Sequence, residues 1–279
     1  IYVCGITPYD ATHLGHARTY LFFDLINRYQ ILAGKKSVFI ENITDIDDPL
    51  LERANRDKVN WIELAQQQTE LFTRDMTSLR VIPPNRFDSV TETLGLIESA
   101  LLKLWDSGFT YELNGDLYFD IKDNLDELNI SVEEAIRIFS ERGGDPNRVG
   151  KKNPLDPLLW RKNVPGEPGW PSAFGLGRPG WHIECAVIAV NGIDTVSGKF
   201  HDPVLDLQGG GADLIFPHHF MTKLIANAIY KREFAGAYLH TGLLGLAGEK
   251  MSKSKGNLVF VHELLDSGCD PMILRYALL

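Results

Sequence analysis

Cysteine is scarce in this chain: three residues in 279, Cys4, Cys185 and Cys269, odd in number and far apart. That excludes a disulfide framework and makes a reducing compartment, the cytoplasm, the expected home. No apolar run reaches the roughly 20 residues that a membrane-spanning helix needs, so no membrane partner is expected. Positive charge is in deficit as well, with 28 Lys and Arg against 37 Asp and Glu, a formal net charge of −9. Such a balance argues against a surface built to wrap nucleic acid and leaves local basic loops as the places to look for an anionic ligand. Internal repeats and low-complexity tracts are absent. The chain opens on Ile1 in what reads as a strand and stops within the helical pattern "PMILRYALL", so further residues are expected at both ends.

What is present is ordinary globular composition, 44% hydrophobic and 23% charged, enough for one large α/β domain or two small ones with a sizeable core. "IYVCGI" reads as a buried strand. The stretch from His16 to Gly34 carries helical spacing with a glycine at its end, and "SVFIENIT" follows as a second strand. Strand, turn, helix and strand in that order open a parallel sheet. Helices are expected at 60–79, with Asn60 as cap, and at 88–107. "TYELNGDLYFDI" reads as a hairpin around Asn114-Gly115, and Ser131 to Glu134 as a capping box. With the polar "ERGGDPNRVGKKNPLDP" after it, this region reads as an insertion. The α/β pattern resumes with a helix near 181–190, a strand at "PVLDLQG", a turn "GGGADLIFPHH", a helix at 218–230 and a strand at "GAYLHTGLLGL". The expected division is 1–108 and 166–245 as the halves of one catalytic domain, 109–165 as a connective insertion, and 246–279 as a lysine loop and the start of a helical region.

Three constellations carry chemistry. His13-Leu14-Gly15-His16 lies where strand one meets helix one; a helix N-terminus offers free N–H groups to anions, and two imidazoles there add donors for phosphate oxygens. Alone, such a turn is as readily a pair of satisfied polar groups. Lys250-Met251-Ser252-Lys253-Ser254 lies on a loop that fits either a solvated turn or a mobile clamp on a polyphosphate. Cys4, Cys185 in "GWHIECA" and the pair His218-His219 in "FPHHF" each read singly as core residues. Together, two thiols and an imidazole match an open zinc site with a fourth position left for substrate. Zinc favours thiolate, so such a site would select a thiol-bearing substrate over serine or alanine.

The His-x-Gly-His turn followed by a letter-perfect Lys-Met-Ser-Lys-Ser loop resembles the signature pair of the class I aminoacyl-tRNA synthetases. Over essentially the whole chain the layout is similar to cysteinyl-tRNA synthetase and, more closely, to its relatives the mycothiol ligases. "ITPYDATHLGH", "ITDIDDPLLERA" with Pro49 where the synthetase has Lys, and "ERGGDP" at 141–146 all point to the ligases. Thr222 stands where the synthetase carries a fourth zinc ligand, a Glu. Arg18, as in the synthetase, and Phe220, in place of an acidic residue, depart from the ligase pattern.

The resemblance implies a Rossmann-like class I catalytic domain, a parallel sheet with helices on both faces and an inserted connective region. It implies an enzyme, an ATP-dependent, AMP-forming ligase that joins L-cysteine to the amine of glucosaminyl-inositol through a cysteinyl-adenylate; cysteinyl-tRNA synthetase is the alternative. Zinc would be held by Cys4, Cys185 and His218, with His219 as the other imidazole, and ATP would enter as Mg-ATP. His13, His16, Lys250 and Lys253 would hold the triphosphate. Gly5, Ile6, Thr7, Thr19, Asn42, Ile43, Thr44 and Trp181 would line the adenylate pocket with Cys4; Gly211, Ala212 and Asp213 would reach the ribose and Leu244 the adenine. Asp10 fits either a base for the amine or a residue that bonds the turn. The partners are small molecules, with no nucleic acid and no membrane, and the relatives suggest a monomer.

Overall fold

The computed structural model describes residues 1–122, 124–125, 127–199, 201–246, 248–251 and 256–279. They form two compact units, one of Ile1–Phe87, Leu207–Asp213 and Ala237–Leu279, the other of Asp88–Asp206 and Leu214–Gly236.

The first unit is built on a five-stranded sheet in the order β3-β2-β1-β8-β9, from β1 (Tyr2–Ile6), β2 (Ile40–Ile43), β3 (Arg86–Ser89), β8 (Gln208–Gly211) and β9 (Tyr238–Thr241). Strand β1 runs parallel to both β2 and β8, and β8 parallel to β9. Tyr2 and Val3 are fully buried, as the central strand of a parallel sheet requires. Gly5 is dictated by the sheet: a Cβ there would lie 1.7 Å from the Asn42 carbonyl oxygen. That close approach accompanies an irregular register between Val3 and Ile6.

Helix α1 (Leu14–Leu32) returns the chain from β1 to β2 and ends at Ala33, with Gly34 left-handed at φ 73°. Phe23 of α1 lies against β8, where a Cβ on Gly209 would come within 2.4 Å of its ring. Asp47 and Asn60 cap α2 (Asp48–Asp57) and α3 (Trp61–Ser78) through their side-chain oxygens. Asp47 thus gives the acidic run "DIDDP" a structural task. Val3 and Ile6 of β1, Tyr20, Leu21 and Phe23 of α1, and Phe72 and Met76 of α3 share one buried cluster with Val261 of α8 (Val261–Asp266) and Leu274 and Leu278 of α9 (Pro271–Leu278).

The second unit carries a four-stranded antiparallel sheet, β4 (Thr110–Leu113), β5 (Asp116–Phe119), β6 (Leu158–Lys162) and β7 (Gly177–Pro179). Asn114 and Gly115, both at positive φ (56° and 90°), turn the expected hairpin. Around the sheet stand α4 (Val90–Asp106), which opens on a complete Ser89–Glu92 capping box, α5 (Val132–Glu141), α6 (Trp181–Ser197) and α7 (Phe220–Tyr230). Ser131 Oγ accepts from the Glu134 amide at 3.2 Å, the N-cap half of the expected box.

The "ERGGDP" stretch acquires a structural role here. It ends α5, and Gly144 leaves room for the Phe139 ring, which an added Cβ would approach to 2.4 Å. Asp145 then accepts from the Tyr118 hydroxyl and from Lys151 Nζ (2.9 Å). Arg148 donates to Asp116 (2.5 Å), to the Tyr118 hydroxyl (2.7 Å) and to the Leu113 carbonyl (3.1 Å). The stretch therefore ties the hairpin to the helix that precedes it.

Candidate active site

In the first unit the site begins with the cap of α1. His13 is the N-cap residue, and its Nδ1 accepts from the amides of Gly15 (3.1 Å) and His16 (3.3 Å). A ring that accepts at Nδ1 carries its proton at Nε2 when neutral, so Nε2–H is the free donor of the turn. Gly15 has its own reason: a Cβ there would lie 3.0 Å from His13 Cε1 and press on the capping ring. The His16 ring stacks on His13 with centroids 3.8 Å apart, and its side chain faces solvent. Burial lowers the His13 pKa, opposed by the charges of Asp213 and Asp10, and keeps the ring in the neutral form that the cap needs.

The segment that leaves the lysine loop is bonded to this turn. Leu14 N donates to Val259 O at 2.9 Å and Val261 N to Thr12 O at 3.0 Å, an antiparallel bridge centred on His13 and Phe260. The turn and the segment after the lysine loop, more than 230 residues apart in sequence, are thus clasped by backbone hydrogen bonds within one unit. A cavity of about 120 Å³ opens beside them, lined by Thr7, Tyr9, Asp10, His13, His16, Phe72, Met251 and Phe260 among others. Lys250 lies in a two-residue strand, Glu249–Lys250, while Lys253 is outside the described residues.

The adenylate-pocket expectations fall at the ends of the parallel strands, where open α/β sheets bind ligands. Asn42 Oδ1 accepts from the Tyr2 hydroxyl (2.7 Å) and the Gly5 amide (2.9 Å), and its Nδ2 donates to Thr44 Oγ1 (3.1 Å). Asn42 and Thr44 are thereby buried buttresses of the β1–β2 edge, while Ile43, Ile6 and Thr7 follow at the strand ends. Thr19 and Thr241 share a 2.8 Å hydroxyl contact. Gly211 and Ala212 lead into Asp213, whose charge reaches His13. Leu244 packs on the buried cluster. Asp10 Oδ1 accepts from the Ala11 amide (3.1 Å) and Arg53 Nη1 (3.4 Å), so it bonds the turn, and the helix cap is His13. Cys4 is 7% exposed on β1, and Gln208 Nε2 donates to its sulfur at 3.4 Å.

In the second unit His218 Nε2 lies 3.2 Å from Cys185 Sγ, both side chains at 1% exposure. Two ligands of one tetrahedral zinc, at the usual Zn–S and Zn–N lengths, are about 3.6 Å apart, so the pair has the donor types and nearly the spacing of a zinc site. Burial holds the His218 pKa far below its ordinary value, with His182 and His219 adding to the effect, so its ring is a neutral donor. The other face of the site is furnished by Trp181, whose ring stacks on His218 with centroids 4.0 Å apart, and by His182, whose Nδ1 meets His218 Nδ1 at 3.1 Å. Metal-binding imidazoles are commonly oriented this way through the second ring nitrogen. The irregular turn Ile215–His219, extended at Phe216, delivers His218 to this position, and His219 is buried beside it. Thr222 is buried, and its hydroxyl donates to the His182 carbonyl at 3.4 Å. His182 was not among the expected site residues; its place one turn before Cys185 on α6 was the available signal.

A family model of the class I (C) tRNA synthetase catalytic domain matches residues 1–279. The chain is 51% identical to an L-cysteine:1D-myo-inositol 2-amino-2-deoxy-alpha-D-glucopyranoside ligase of Thermomonospora curvata, over 100% of this chain and 66% of that protein. It is 53% identical to the ligase of the same name from Nakamurella multipartita, over 100% of this chain and 69% of that protein. The chain thus spans about two thirds of the length of these relatives. Among solved structures, methionyl-tRNA synthetase of Mycobacterium tuberculosis in complex with methionyl-adenylate superposes with a TM-score of 0.70 at 17% identity, covering 99% of this chain and 63% of that one. A putative arginyl-tRNA synthetase of Campylobacter jejuni gives a TM-score of 0.61 at 14% identity, covering 99% and 62%. These two likenesses speak to the fold, a class I synthetase-like α/β domain. With the whole-chain family match and the identity to the ligases, they place the chain in the class I (C) tRNA synthetase catalytic-domain family, among the L-cysteine:1D-myo-inositol 2-amino-2-deoxy-alpha-D-glucopyranoside ligases.

Proposed function

We propose that this chain activates L-cysteine with ATP and transfers it to the amine of glucosaminyl-inositol, forming an amide in mycothiol biosynthesis. The observation that carries the reading is the backbone clasp between the His13 turn and the segment leaving the lysine loop, the two motifs that flank a triphosphate in this family. The names and identities of the relatives support cysteine and the amino sugar as substrates.

In the first step a carboxylate oxygen of cysteine bonds to the α-phosphorus of ATP as the bond to pyrophosphate breaks. His13 Nε2–H and the His16 ring donate to phosphate oxygens as charge gathers there, with Lys250 and Lys253 as the opposing cations and magnesium accompanying the ATP. Thr7, Gly5, Ile6 and Ile43 line the aminoacyl end, Thr19 and Trp181 its flanks, Gly211, Ala212 and Asp213 the ribose, and Leu244 the adenine. In the second step the neutral amine attacks the activated carbonyl, AMP leaves, and the amine gives up a proton. Zinc, when bound, holds the substrate thiol and so distinguishes cysteine from serine. Cys185, His218 and Cys4 are its proposed ligands; the 3.2 Å Cys185–His218 contact and the acceptor role of the Cys4 sulfur are consistent with that donor set. Two reduced thiols in that role suit the cytoplasm. A monomer with small-molecule partners completes the proposal.

AMP release with ATP and cysteine, compared with glucosaminyl-inositol or tRNA as acceptor, tests the reading. Turnover with the amino sugar alone is the expected result; turnover with tRNA alone would make the chain a cysteinyl-tRNA synthetase.

A further inference from the structure

The cavity beside the His13 turn has two kinds of lining. Phe72, Met251 and Phe260 are apolar, whereas Thr7, Tyr9 and Asp10 carry oxygens. Its volume of about 120 Å³ corresponds to about four waters at roughly 30 Å³ each, the scale of one amine-bearing ring and not of a whole pseudodisaccharide. Pockets that are apolar with a few placed polar groups orient their ligand through those groups. Here the acidic one is Asp10, and a carboxylate in the lining repels a phosphate and attracts a cation.

Asp10 is built into the lining. Its Oδ1 accepts from the Ala11 amide at 3.1 Å and from Arg53 Nη1 at 3.4 Å. The same Arg53 Nη1 donates to the Tyr9 carbonyl at 3.2 Å, while Arg53 Nε is bonded to Asp57. Arg53 thus holds Tyr9 and Asp10 from α2, and Tyr9 packs against Leu50 and Ala54 of α2 and Leu64 and Ala65 of α3. The carboxylate is a fixed charge, and its field reaches its neighbours. Burial raises the Tyr9 pKa and Asp10 adds to the rise; at His13, Asp10 opposes the lowering that burial causes. Thr7, in the same lining, directly follows the end of β1. The cavity therefore adjoins the strand end assigned above to the aminoacyl group.

We infer that this cavity receives the amine-bearing ring of the acceptor, with the Asp10 carboxylate paired to its ammonium and the aromatic walls of Tyr9 and Phe260 against its C–H surface. A carboxylate–ammonium contact is a charge-assisted hydrogen bond, and a neighbouring aromatic ring favours the same cation. Asp10 is a binding residue and not the base. Docking takes the ammonium, and loss of its proton to water leaves the neutral nucleophile of the second step. The inference rests on the proposed reaction for the identity of the amine, and on the cavity alone for the charge it selects.

The test is a ligand-observed NMR titration of the full chain without ATP or cysteine. The probes are glucosaminyl-inositol and glucosyl-inositol, which has a hydroxyl where the first has its amine. The unaltered protein binds the amino sugar about tenfold more tightly than the hydroxyl sugar, the worth of one hydrogen bond to a charged group. Asp10→Asn abolishes that preference, weakening the amino sugar about tenfold and leaving the hydroxyl sugar as it was. Asp10→Ser, which keeps a short acceptor for the Ala11 amide, serves if Asp10→Asn does not fold. Equal weakening of both sugars would mean that Asp10 only shapes the turn, and would overturn the inference. So would a preference that survives both substitutions, or no binding of the amino sugar by the unaltered protein. Absence of cysteine-dependent ATP–pyrophosphate exchange by the unaltered protein would sink the proposed function, and the titration would still decide the cavity.

Discussion

His13 holds two offices that a sequence motif merges into one. Its Nδ1 caps α1, and its Nε2–H is the outward donor. Substitutions separate them. His13→Ala is expected to lose about 1 kcal/mol of stability, the usual worth of an N-cap, and adenylate formation as well. His13→Asn keeps an accepting oxygen for the cap and recovers the stability, but not the activity. The cap also has a pH signature. Because burial lowers the folded pKa of His13, the unfolded chain binds the proton more readily. The contribution is complete above the ordinary value near 6.5 and is lost as the pH falls through the lower folded value. Urea titrations between pH 7.5 and 5 check this: the unaltered protein, level with His13→Asn at pH 7.5, should become the less stable of the two as the pH falls.

At the scale of elements, β2 carries an expensive residue. Glu41 is 3% exposed in a parallel strand; burial raises its pKa from 4.5 to about 8, and Asp24 adds to the shift. The sign is opposite to that of His13. A raised carboxyl pKa contributes stability that is present in full below the unfolded value near 4.5 and is lost as the pH rises through about 8. Glu41→Gln, which has nothing to ionise, should gain on the unaltered protein between pH 5 and 8, by on the order of a few kcal/mol at the upper end. Equal pH slopes for the two proteins would show that Glu41 is not buried in its acid form. The elements themselves were largely legible. Capping residues Asn60, Ser89 and Ser131 and the Asn114-Gly115 turn act through bonds a few residues long, and those survive in any reading of the sequence. Glu41 was not legible as buried, because its burial comes from residues distant in sequence.

At the scale of the molecule, each unit is discontinuous in sequence: the first gathers three segments of the chain and the second two. The proposed zinc ligands Cys4, Cys185 and His218 lie far apart along the chain. Free energy of binding to such a site is stability for every segment that supplies a ligand. Chelation of the full chain is therefore expected to lower its thermal midpoint, and Cys4→Ala to lose zinc and stability to the same degree as Cys185→Ala. Zinc content and calorimetry decide it. A Cys4→Ala protein that keeps one zinc equivalent at unchanged affinity would remove Cys4 from the ligand set.

The sequence by itself determined the local matter: which stretches are helices and strands, where they are capped, the two signature motifs in their order, and the family to which they belong. Those follow from interactions between near neighbours and from the identity of reactive side chains. Tertiary structure alone decided that His13 caps the helix while Asp10 bonds the turn, and that Asn42 and Thr44 are internally bonded. It likewise placed His182 behind His218, and bonded the exit of the lysine loop to the His13 turn. The physical reason is that hydrogen-bond partners, burial and the pKa shifts they cause are set by atoms brought together from distant parts of the chain. No local pattern encodes which of them will meet.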